Sequence, residues 1–240
     1  MAIHWRLGRA ILGCELTILV PVYNDAENLK KNLPVIREAA NGLTSSWEIL
    51  VANDGSSDST EDVVSKAAKR DRRIRMFSHK VNMGPGAGIF SGLFWARGKW
   101  VLFVPADLAC KPEHLERMWY ARAGADIVVG LRSDRRDYNF VRKLISVANI
   151  ALIRLLSGSA VRQFNYIQMW RRSFFKGLNL RSTGVFITAE VILRAQKKKA
   201  RVVQVGMEYL PREAGRGTGA RPGVVIRSIW DMIAFFAFED

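Results

Sequence analysis

Three polar clusters follow three apolar runs in the first half of this 240-residue chain. Tyr23-Asn24-Asp25 follows LTILVPV, Asn53-Asp54-Gly55-Ser56 follows WEILVA, and Asp107 follows WVLFVPA. If the runs are parallel strands, these clusters lie at their carboxyl ends, where open α/β sheets bind ligands. A loop carboxylate there can accept hydrogen bonds from a nucleobase N–H or a ribose hydroxyl. The three clusters together predict a nucleotide site, although each alone also fits ordinary turn or helix-cap chemistry.

The elements that would position these clusters alternate along the chain. Short apolar runs predict strands over residues 16–22, 47–52, 74–78, 100–104, 125–130 and 201–209. Helical spacing predicts helices over residues 25–40, 59–70, 84–97, 140–156, 189–199 and 224–238, and another that begins at Pro112. Asn24 or Asp25 is the expected cap of the first helix. This alternation predicts an α/β fold with a mostly parallel sheet flanked by helices.

The net charge of +15 is concentrated in the second half of the chain. Residues 131–240 carry 20 Lys and Arg against 8 Asp and Glu, whereas residues 1–130 carry 17 against 14. Such an excess attracts phosphate groups on nucleic acid, anionic lipid or a phosphorylated substrate. A merely solvated basic face is the alternative. A nucleic-acid partner is not expected, because no helix-turn-helix, zinc-finger or aromatic RNA-binding signature occurs.

Cysteine usage and hydropathy bear on the compartment. Cys14 and Cys110 are the only cysteines and show no metal-ligand spacing, which predicts a reducing, cytoplasmic environment. No window approaches the roughly 20 uncharged apolar residues of a spanning helix. The first residues lack the apolar region and cleavage site of a signal peptide.

Three segments carry a resemblance to a known family. They are ILVPVYNDAENL (18–29), EILVANDGSSDST (48–60) and NMGPGAGIFSGLFWARGKWVLFVPADL (82–108). In this order and spacing they resemble the signatures of family 2 glycosyltransferases, most of all the branch of dolichol- and polyprenol-phosphate sugar synthases. The resemblance covers about residues 15 to 230, and residues 182–219 also match that branch.

The resemblance implies a Rossmann-like GT-A fold with a basic C-terminal extension. It implies transfer of a sugar, with inversion, from a nucleotide-diphosphate sugar to an acceptor, for which a polyprenyl phosphate is the first candidate. Residues 1–222 would form the transferase domain. Residues 223–240 would form an apolar helix, either on a membrane surface or docked on the core. The protein would then be cytoplasmic, with peripheral attachment to the inner face of the membrane as a further possibility.

The resemblance also assigns roles to individual residues. It implies nucleotide or donor contacts from Pro21, Tyr23, Asp25, Ala52, Asp54 and Asp107. Phosphate-contacting arginines of relatives stand at Arg132, Arg142 and Arg212. Glu190 stands at an acidic position of the sugar-side helix, and it is the candidate catalytic base if the acceptor is a hydroxyl. Gly84, Gly86 and Gly88 would allow close helix packing and present backbone N–H groups.

Two departures from the family pattern leave alternatives open. PADLA (105–109) stands where relatives usually have DADLQ or DADLS, so Pro105 replaces one carboxylate of the metal motif. Asp107 alone would hold Mg²⁺ or Mn²⁺ weakly, or basic residues would neutralise the diphosphate without metal, or catalysis is lost. In the second departure, VRQFNYIQMWRR (161–172), Asn165 is the candidate for the acceptor-side polar role, and a soluble hydroxyl acceptor is the alternative substrate.

Overall fold

The structure is a computed structural model and describes residues 13–133, 140–208 and 222–238; the side chains of residues 140–142 and 222 are outside that description. The strands of the described residues are Leu16–Val22 (β1), Trp47–Asn53 (β2), Ile74–Ser78 (β3), Trp100–Phe103 (β4), Ile127–Arg132 (β5), Gln168–Arg171 (β6) and Val202–Met207 (β7). The α-helices are Ala26–Leu43 (α1), Thr60–Arg70 (α2), Pro85–Trp95 (α3), Pro112–Ala121 (α4), Phe140–Ser157 (α5), Ile187–Lys197 (α6) and Pro222–Ala237 (α7).

All seven strands belong to one sheet, in the order β3-β2-β1-β4-β6-β5-β7. β1 pairs in parallel with β2 and β4, β2 with β3, and β5 with β7. β6 is antiparallel to both of its neighbours, β4 and β5. The prediction of a mostly parallel sheet flanked by helices is therefore confirmed.

The sequence did not predict β6. It has only four residues, and Gln168, Met169 and Trp170 are all buried, so the segment shows no alternation of apolar and polar positions. A strand this short is defined by the strands that it pairs with, β4 and β5, which are far away in sequence.

Helices cover both faces of the sheet, which explains why its central strands are apolar throughout. On one face, Leu29 and Ile36 of α1 and Leu115 of α4 belong to one buried cluster with residues of β1 and β2. On the other face, Ile89 of α3 and Ile192 of α6 belong to a second buried cluster. These two layers fix the sheet and hence the position of every strand end.

The C-terminal helix α7 joins the second cluster through one side only. Met232 and Phe235 are 5% and 6% exposed, and the Phe235 ring meets Phe186 edge-on with ring centroids 5.7 Å apart. The opposite side of α7 is exposed. In the described ranges, no helix combines the length and the apolar character needed to cross a membrane.

Candidate functional site

The three polar clusters predicted from the sequence lie side by side. β2, β1 and β4 are neighbours in the sheet and run in the same direction. Asp54, the Tyr23–Asp25 turn and Asp107 follow these strands, so they occupy adjacent positions along the carboxyl edge of the sheet. The parallel arrangement thus brings together residues up to 84 positions apart.

Two acceptor-side candidates, Asn165 and Arg132, reach the same edge, and the route of Asn165 was not predicted from the sequence. Because β6 is antiparallel, it begins at the carboxyl edge of its neighbours, and Asn165 stands just before it. β5 ends at this edge with Arg132. Asn165 is exposed, and its Oδ1 accepts a hydrogen bond from the Thr188 hydroxyl at 3.0 Å.

The loops after β1 and β2 are hydrogen-bonded to each other. The Asn24 N–H donates to Ser56 Oγ at 3.0 Å, and the Ser57 N–H donates to Asn24 Oδ1 at 2.8 Å. The Ala26 N–H, at the start of α1, donates to Asp58 Oδ2 at 3.0 Å. These contacts make the two loops one unit.

The prediction of Asn24 or Asp25 as the cap of α1 is correct in position, but the side-chain bond expected of a cap is absent. Asp25 is the N-cap residue, but its side chain makes no capping bond, and its Oδ1 accepts from Asn28 Nδ2 at 2.7 Å. Asp58 supplies the acceptor for Ala26 instead. Burial raises the pKa of Asp58, but hydrogen bonds from the Thr60 hydroxyl and the Ala26 N–H outweigh it and lower that pKa. Asp58 is therefore the charged residue that joins the two loops.

The Asp54 carboxylate organises the loop that enters α3. It is 4% exposed, and it accepts hydrogen bonds from the Met83 N–H at Oδ1 (3.0 Å) and the Gly84 N–H at Oδ2 (2.9 Å). Charge-assisted bonds of this kind are stronger than neutral ones. Asp54 therefore shapes the edge of the predicted nucleotide pocket.

Sequence reasoning missed the His79 ring, which connects Asp54 to Ser91. His79 Nδ1 lies 2.7 Å from Asp54 Oδ1, and His79 Nε2 lies 2.9 Å from Ser91 Oγ. No sequence signal connects His79 with positions that lie 25 and 12 residues away. The ring fixes the orientation of the carboxylate.

Helix α3 covers the strand residues assigned to the nucleotide. A Cβ built on Gly88 would lie 3.4 Å from Pro21 Cβ and 3.8 Å from Ala52 Cβ, so the glycine lets the helix approach the sheet closely. Ala52 is fully buried, so its side chain offers no free surface, whereas Tyr23 is 38% exposed.

The glycine-rich entry of α3 uses its N–H groups within the protein. The Gly84 N–H donates to Asp54, and the Gly86 N–H donates to the Thr183 carbonyl at 3.0 Å. The expectation of close packing is therefore correct, but these two N–H groups are not presented to a phosphate.

The loop that carries Asp107 is held from both sides. Asn32 Nδ2 donates to the Ala106 carbonyl at 2.9 Å, and the Tyr166 hydroxyl donates to the Ala109 carbonyl at 2.8 Å. Leu108 has a φ of 41°, a conformation that is uncommon for a residue with a side chain. The backbone around Asp107 is thus fixed although the motif has lost its first carboxylate.

The donor set for a divalent cation is small. In the described residues, no three His, Cys, Asp or Glu side chains are grouped so that they could hold a metal. Pro105 has no ligating atom, and burial, followed by the charges of Asp107 and Glu113, raises the pKa of Cys110 to about 12, so its thiol is protonated. The protein side of a site would be one carboxylate, Asp107, and substrate phosphates and water would supply the other ligands.

Glu190 occupies a different environment from that of a general base. It is fully buried, and both of its oxygens accept the Arg181 N–H, at 3.0 and 3.2 Å. Oε2 also accepts the Ser182 N–H at 2.8 Å, and Oε1 pairs with Arg194 Nε at 2.7 Å. In this conformation the carboxylate holds backbone and is enclosed away from any acceptor hydroxyl.

The structure describes one of the three candidate arginines at the level of its contacts. The Arg132 backbone is bracketed by Gln163, whose Oε1 accepts the Arg132 N–H at 2.7 Å and whose Nε2 donates to the Arg132 carbonyl at 3.0 Å. The Arg142 side chain and the whole of Arg212 lie outside the described residues.

The chain belongs to glycosyl transferase family 2, because the model of that family matches residues 17–187, well over half of its length. The resemblance predicted from the three segments is thereby confirmed, and the class of the chain is that of the glycosyltransferases.

Individual members of the family have low sequence identity to the chain. The undecaprenyl-phosphate 4-deoxy-4-formamido-L-arabinose transferases of Salmonella choleraesuis (strain SC-B67) and Salmonella newport (strain SL254) are each 29% identical to the chain over 208 residues. Each match covers 84% of this chain and 61% of the relative. The chain therefore spans about three-fifths of the length of the curated relatives it matches.

Solved structures share the fold. Glucosyl-3-phosphoglycerate synthase from Mycobacterium tuberculosis, in complex with Mn²⁺, UDP and glucosyl-3-phosphoglycerate, superposes with a TM-score of 0.72 at 16% identity and covers 95% of this chain and 82% of its own. The complex of the same synthase with Mn²⁺, UDP and phosphoglyceric acid gives 0.73 at 17% identity, covering 99% and 85%. The predicted GT-A fold is confirmed.

Proposed function

We propose that this chain transfers a sugar, with inversion, from a nucleoside-diphosphate sugar to an anionic acceptor, a polyprenyl phosphate. The observation that carries the proposal is the carboxyl edge of the sheet. There Tyr23–Asp25, Asp54 and Asp107 on the donor side adjoin Asn165 and Arg132 on the acceptor side. Ligands of open α/β sheets bind at this edge.

The donor half of the edge suits a nucleoside diphosphate. Tyr23 supplies an exposed aromatic ring, and Asp25 and Asp54 supply carboxylates for nucleobase or ribose donors. The complexes of the structurally similar synthase contain UDP. In Mg²⁺ or Mn²⁺ binding, Asp107 would be the protein ligand, and the ion would offset charge on the leaving diphosphate.

The acceptor half suits a phosphate better than a hydroxyl. A phosphate oxygen is anionic at neutral pH and can attack the anomeric carbon directly, while the bond from that carbon to the nucleoside diphosphate breaks. A hydroxyl acceptor needs a base, and the candidate, Glu190, has both oxygens engaged inside the protein. The Salmonella relatives are named as undecaprenyl-phosphate transferases.

A membrane surface is the proposed location of the reaction. α5 and α7 both contribute buried residues to the same core cluster, and both expose large apolar side chains outward. The exposed fractions include 81% for Leu155 and 59% for Leu144 on α5, and 64% for Trp230 and 56% for Ile226 on α7. The net charge of +12 over residues 131–240 complements anionic lipid headgroups.

The test uses the purified chain with a panel of UDP-, GDP- and dTDP-sugars, and with a short-chain polyprenyl phosphate, soluble hydroxyl compounds or water as acceptor. Mass spectrometry scores transfer and hydrolysis. Transfer to the lipid phosphate supports the proposal. Transfer only to soluble hydroxyl compounds would replace it by the soluble-acceptor alternative, and nucleotide binding without any turnover would indicate a degenerate transferase.

Single Arg→Lys variants at Arg132, Arg142 and Arg212 test the acceptor side. A guanidinium binds phosphate with two parallel hydrogen bonds, and an ammonium cannot. We expect transfer to the lipid phosphate to fall about tenfold or more while donor hydrolysis continues. Arg70→Lys, on the exposed end of α2, is the matched control and should leave both rates unchanged.

A further inference from the structure

Four consecutive backbone N–H groups donate hydrogen bonds to two carboxylates that lie on different helices. Those of Arg181 and Ser182 donate to Glu190 of α6, with a shortest distance of 2.8 Å. Those of Thr183 and Gly184 donate to Oδ2 of Asp231 on α7, at 3.2 and 2.7 Å. These four residues form the 181–184 segment.

Each of the two carboxylates is enclosed and paired with an arginine one helical turn away. Glu190 pairs with Arg194, as described above, and Asp231 pairs with Arg227 Nε at 3.3 Å. The Asp231 side chain is only 10% exposed. Arg227 also donates to the Thr183 hydroxyl. Because buried charges are costly unless they are paired and hydrogen-bonded, this arrangement fixes the segment firmly.

The 181–184 segment in turn contacts the first turn of α3. The Gly86 N–H donates to the Thr183 carbonyl at 3.0 Å. A Cβ on Gly86 would lie 2.3 Å from the Gly184 carbonyl oxygen and 2.5 Å from that of Thr183, so only glycine permits this approach. Two residues earlier, the Gly84 N–H is bound by Asp54.

We propose that Asp231 is a positioning residue of the donor site. It holds Thr183 and Gly184 against the first turn of α3, and α3 in turn sets the loop that surrounds Asp54. Asp231 lies beyond residues 17–187, the part matched by the family model. The inference rests on the proposed function, because it assumes that Asp54 borders the nucleoside-diphosphate pocket.

The experiment compares Asp231→Ala and Asp231→Asn with Asp126→Ala. Asp126 is a matched control: it also accepts a backbone N–H (Arg201, 3.0 Å) and pairs with an arginine (Arg171, 3.2 Å), but it precedes β5 at the opposite edge of the sheet. Amide hydrogen exchange reports on the 181–184 segment, and calorimetry measures the Kd for UDP and GDP.

In Asp231→Ala we expect exchange at Thr183 and Gly184 to accelerate about tenfold or more, with less change at Arg181 and Ser182. The Kd for the nucleotide should rise about three- to thirty-fold. Asp231→Asn keeps an acceptor oxygen and should give a smaller change in both, so it also serves if the alanine variant does not fold. Gly86→Ala should raise the Kd similarly while α7 stays in place.

The outcomes separate the two proposals. If amide exchange at Thr183 and Gly184 accelerates in Asp231→Ala but its Kd for UDP or GDP equals that of Asp126→Ala, Asp231 is only structural and the inference is overturned. Unchanged amide exchange in Asp231→Ala would also overturn it. Nucleotide binding without sugar transfer by the wild type would remove the proposed function but leave this inference standing on its own readouts. A wild type that binds neither UDP nor GDP would overturn both.

Discussion

The imidazole of His79 bridges Asp54 and Ser91, with Nδ1 2.7 Å from the Asp54 carboxylate and Nε2 2.9 Å from the Ser91 hydroxyl. With the Met83 and Gly84 N–H groups, it gives Asp54 three protein donors. Oδ2 accepts only one of these bonds in the described residues, so it is the oxygen with capacity for a donor on a nucleotide.

Asp54→Ala should weaken binding of UDP or GDP by about 1.5–3 kcal/mol, because a charge-assisted hydrogen bond and the loop that it organises are both lost. Isothermal titration calorimetry measures the change. Asp71→Ala is the control, since Asp71 also binds arginines but precedes β3 at the other edge of the sheet. Unchanged affinity in a folded Asp54→Ala protein would contradict a nucleotide role for Asp54.

Pro105→Asp should strengthen metal binding by restoring a second carboxylate to the motif. We expect the wild type to bind Mn²⁺ weakly. In the presence of UDP, Pro105→Asp should bind Mn²⁺ at least about tenfold more tightly than the wild type does. Electron paramagnetic resonance of free Mn²⁺ gives the Kd without relying on activity. Tight, micromolar binding by the wild type would show that groups other than Asp107 complete the site.

Glu190→Ala should destabilise the fold by about 3–5 kcal/mol, because Arg194 loses its carboxylate partner and two backbone N–H groups lose their acceptor. Urea unfolding measures this loss. Glu190→Gln separates the two roles considered for this residue. A variant of normal stability whose transfer rate to a hydroxyl acceptor falls about a hundredfold would revive the general-base role.

The exposed apolar side chains of α5 and α7 should bind anionic vesicles. Replacing Leu155 and Trp230 together with serine should reduce partitioning to phosphatidylglycerol vesicles about tenfold, since both side chains are outside the core. Sedimentation measures the bound fraction. Val35→Ser, at an exposed apolar residue on α1, is the control, and equal partitioning of all three proteins would rule out a role for these side chains.

Stability should fall as the pH drops through about 6.5, in part because of His114. Burial, followed by Arg117, lowers the pKa of His114, and Nδ1 is enclosed without a hydrogen-bond partner in the described part of the chain. The unfolded chain therefore takes up this proton at a higher pH than the folded protein, which costs stability below the ordinary pKa. Each unit of difference is worth about 1.4 kcal/mol.

His114→Gln provides the measurement. Glutamine keeps an acceptor for the Glu208 N–H, which His114 Nε2 binds at 3.4 Å, but it cannot be protonated. The free energy of unfolding of this variant should decline less between pH 7 and pH 5 than that of the wild type. Parallel curves would show that His114 does not contribute.

The sequence by itself determined the parallel strands of the sheet and the polar residues that follow three of them. LTILVPV, WEILVA and WVLFV are strands buried on both faces, and their apolar runs show this without a partner in view. The clusters after them are local in sequence, so Tyr23–Asp25, Asp54 and Asp107 could be named from strand ends alone. A mostly parallel sheet then requires these ends to share one edge.

Only the tertiary structure decided what each of these side chains touches. β6 joins the sheet through partners on β4 and β5, and its direction, which has no local signal, places Asn165 at the carboxyl edge. Glu190 is a residue type that can act as a base, but its carboxylate binds the backbone N–H groups of Arg181 and Ser182. Any residue at those two positions would supply these N–H groups, so the sequence carries no signal of the contact. The pairing of Asp54 with His79 and of Asp231 with Gly184 spans 25 and 47 residues. Such contacts follow from how helices pack on the finished sheet, a property of the whole chain that no short stretch of sequence contains.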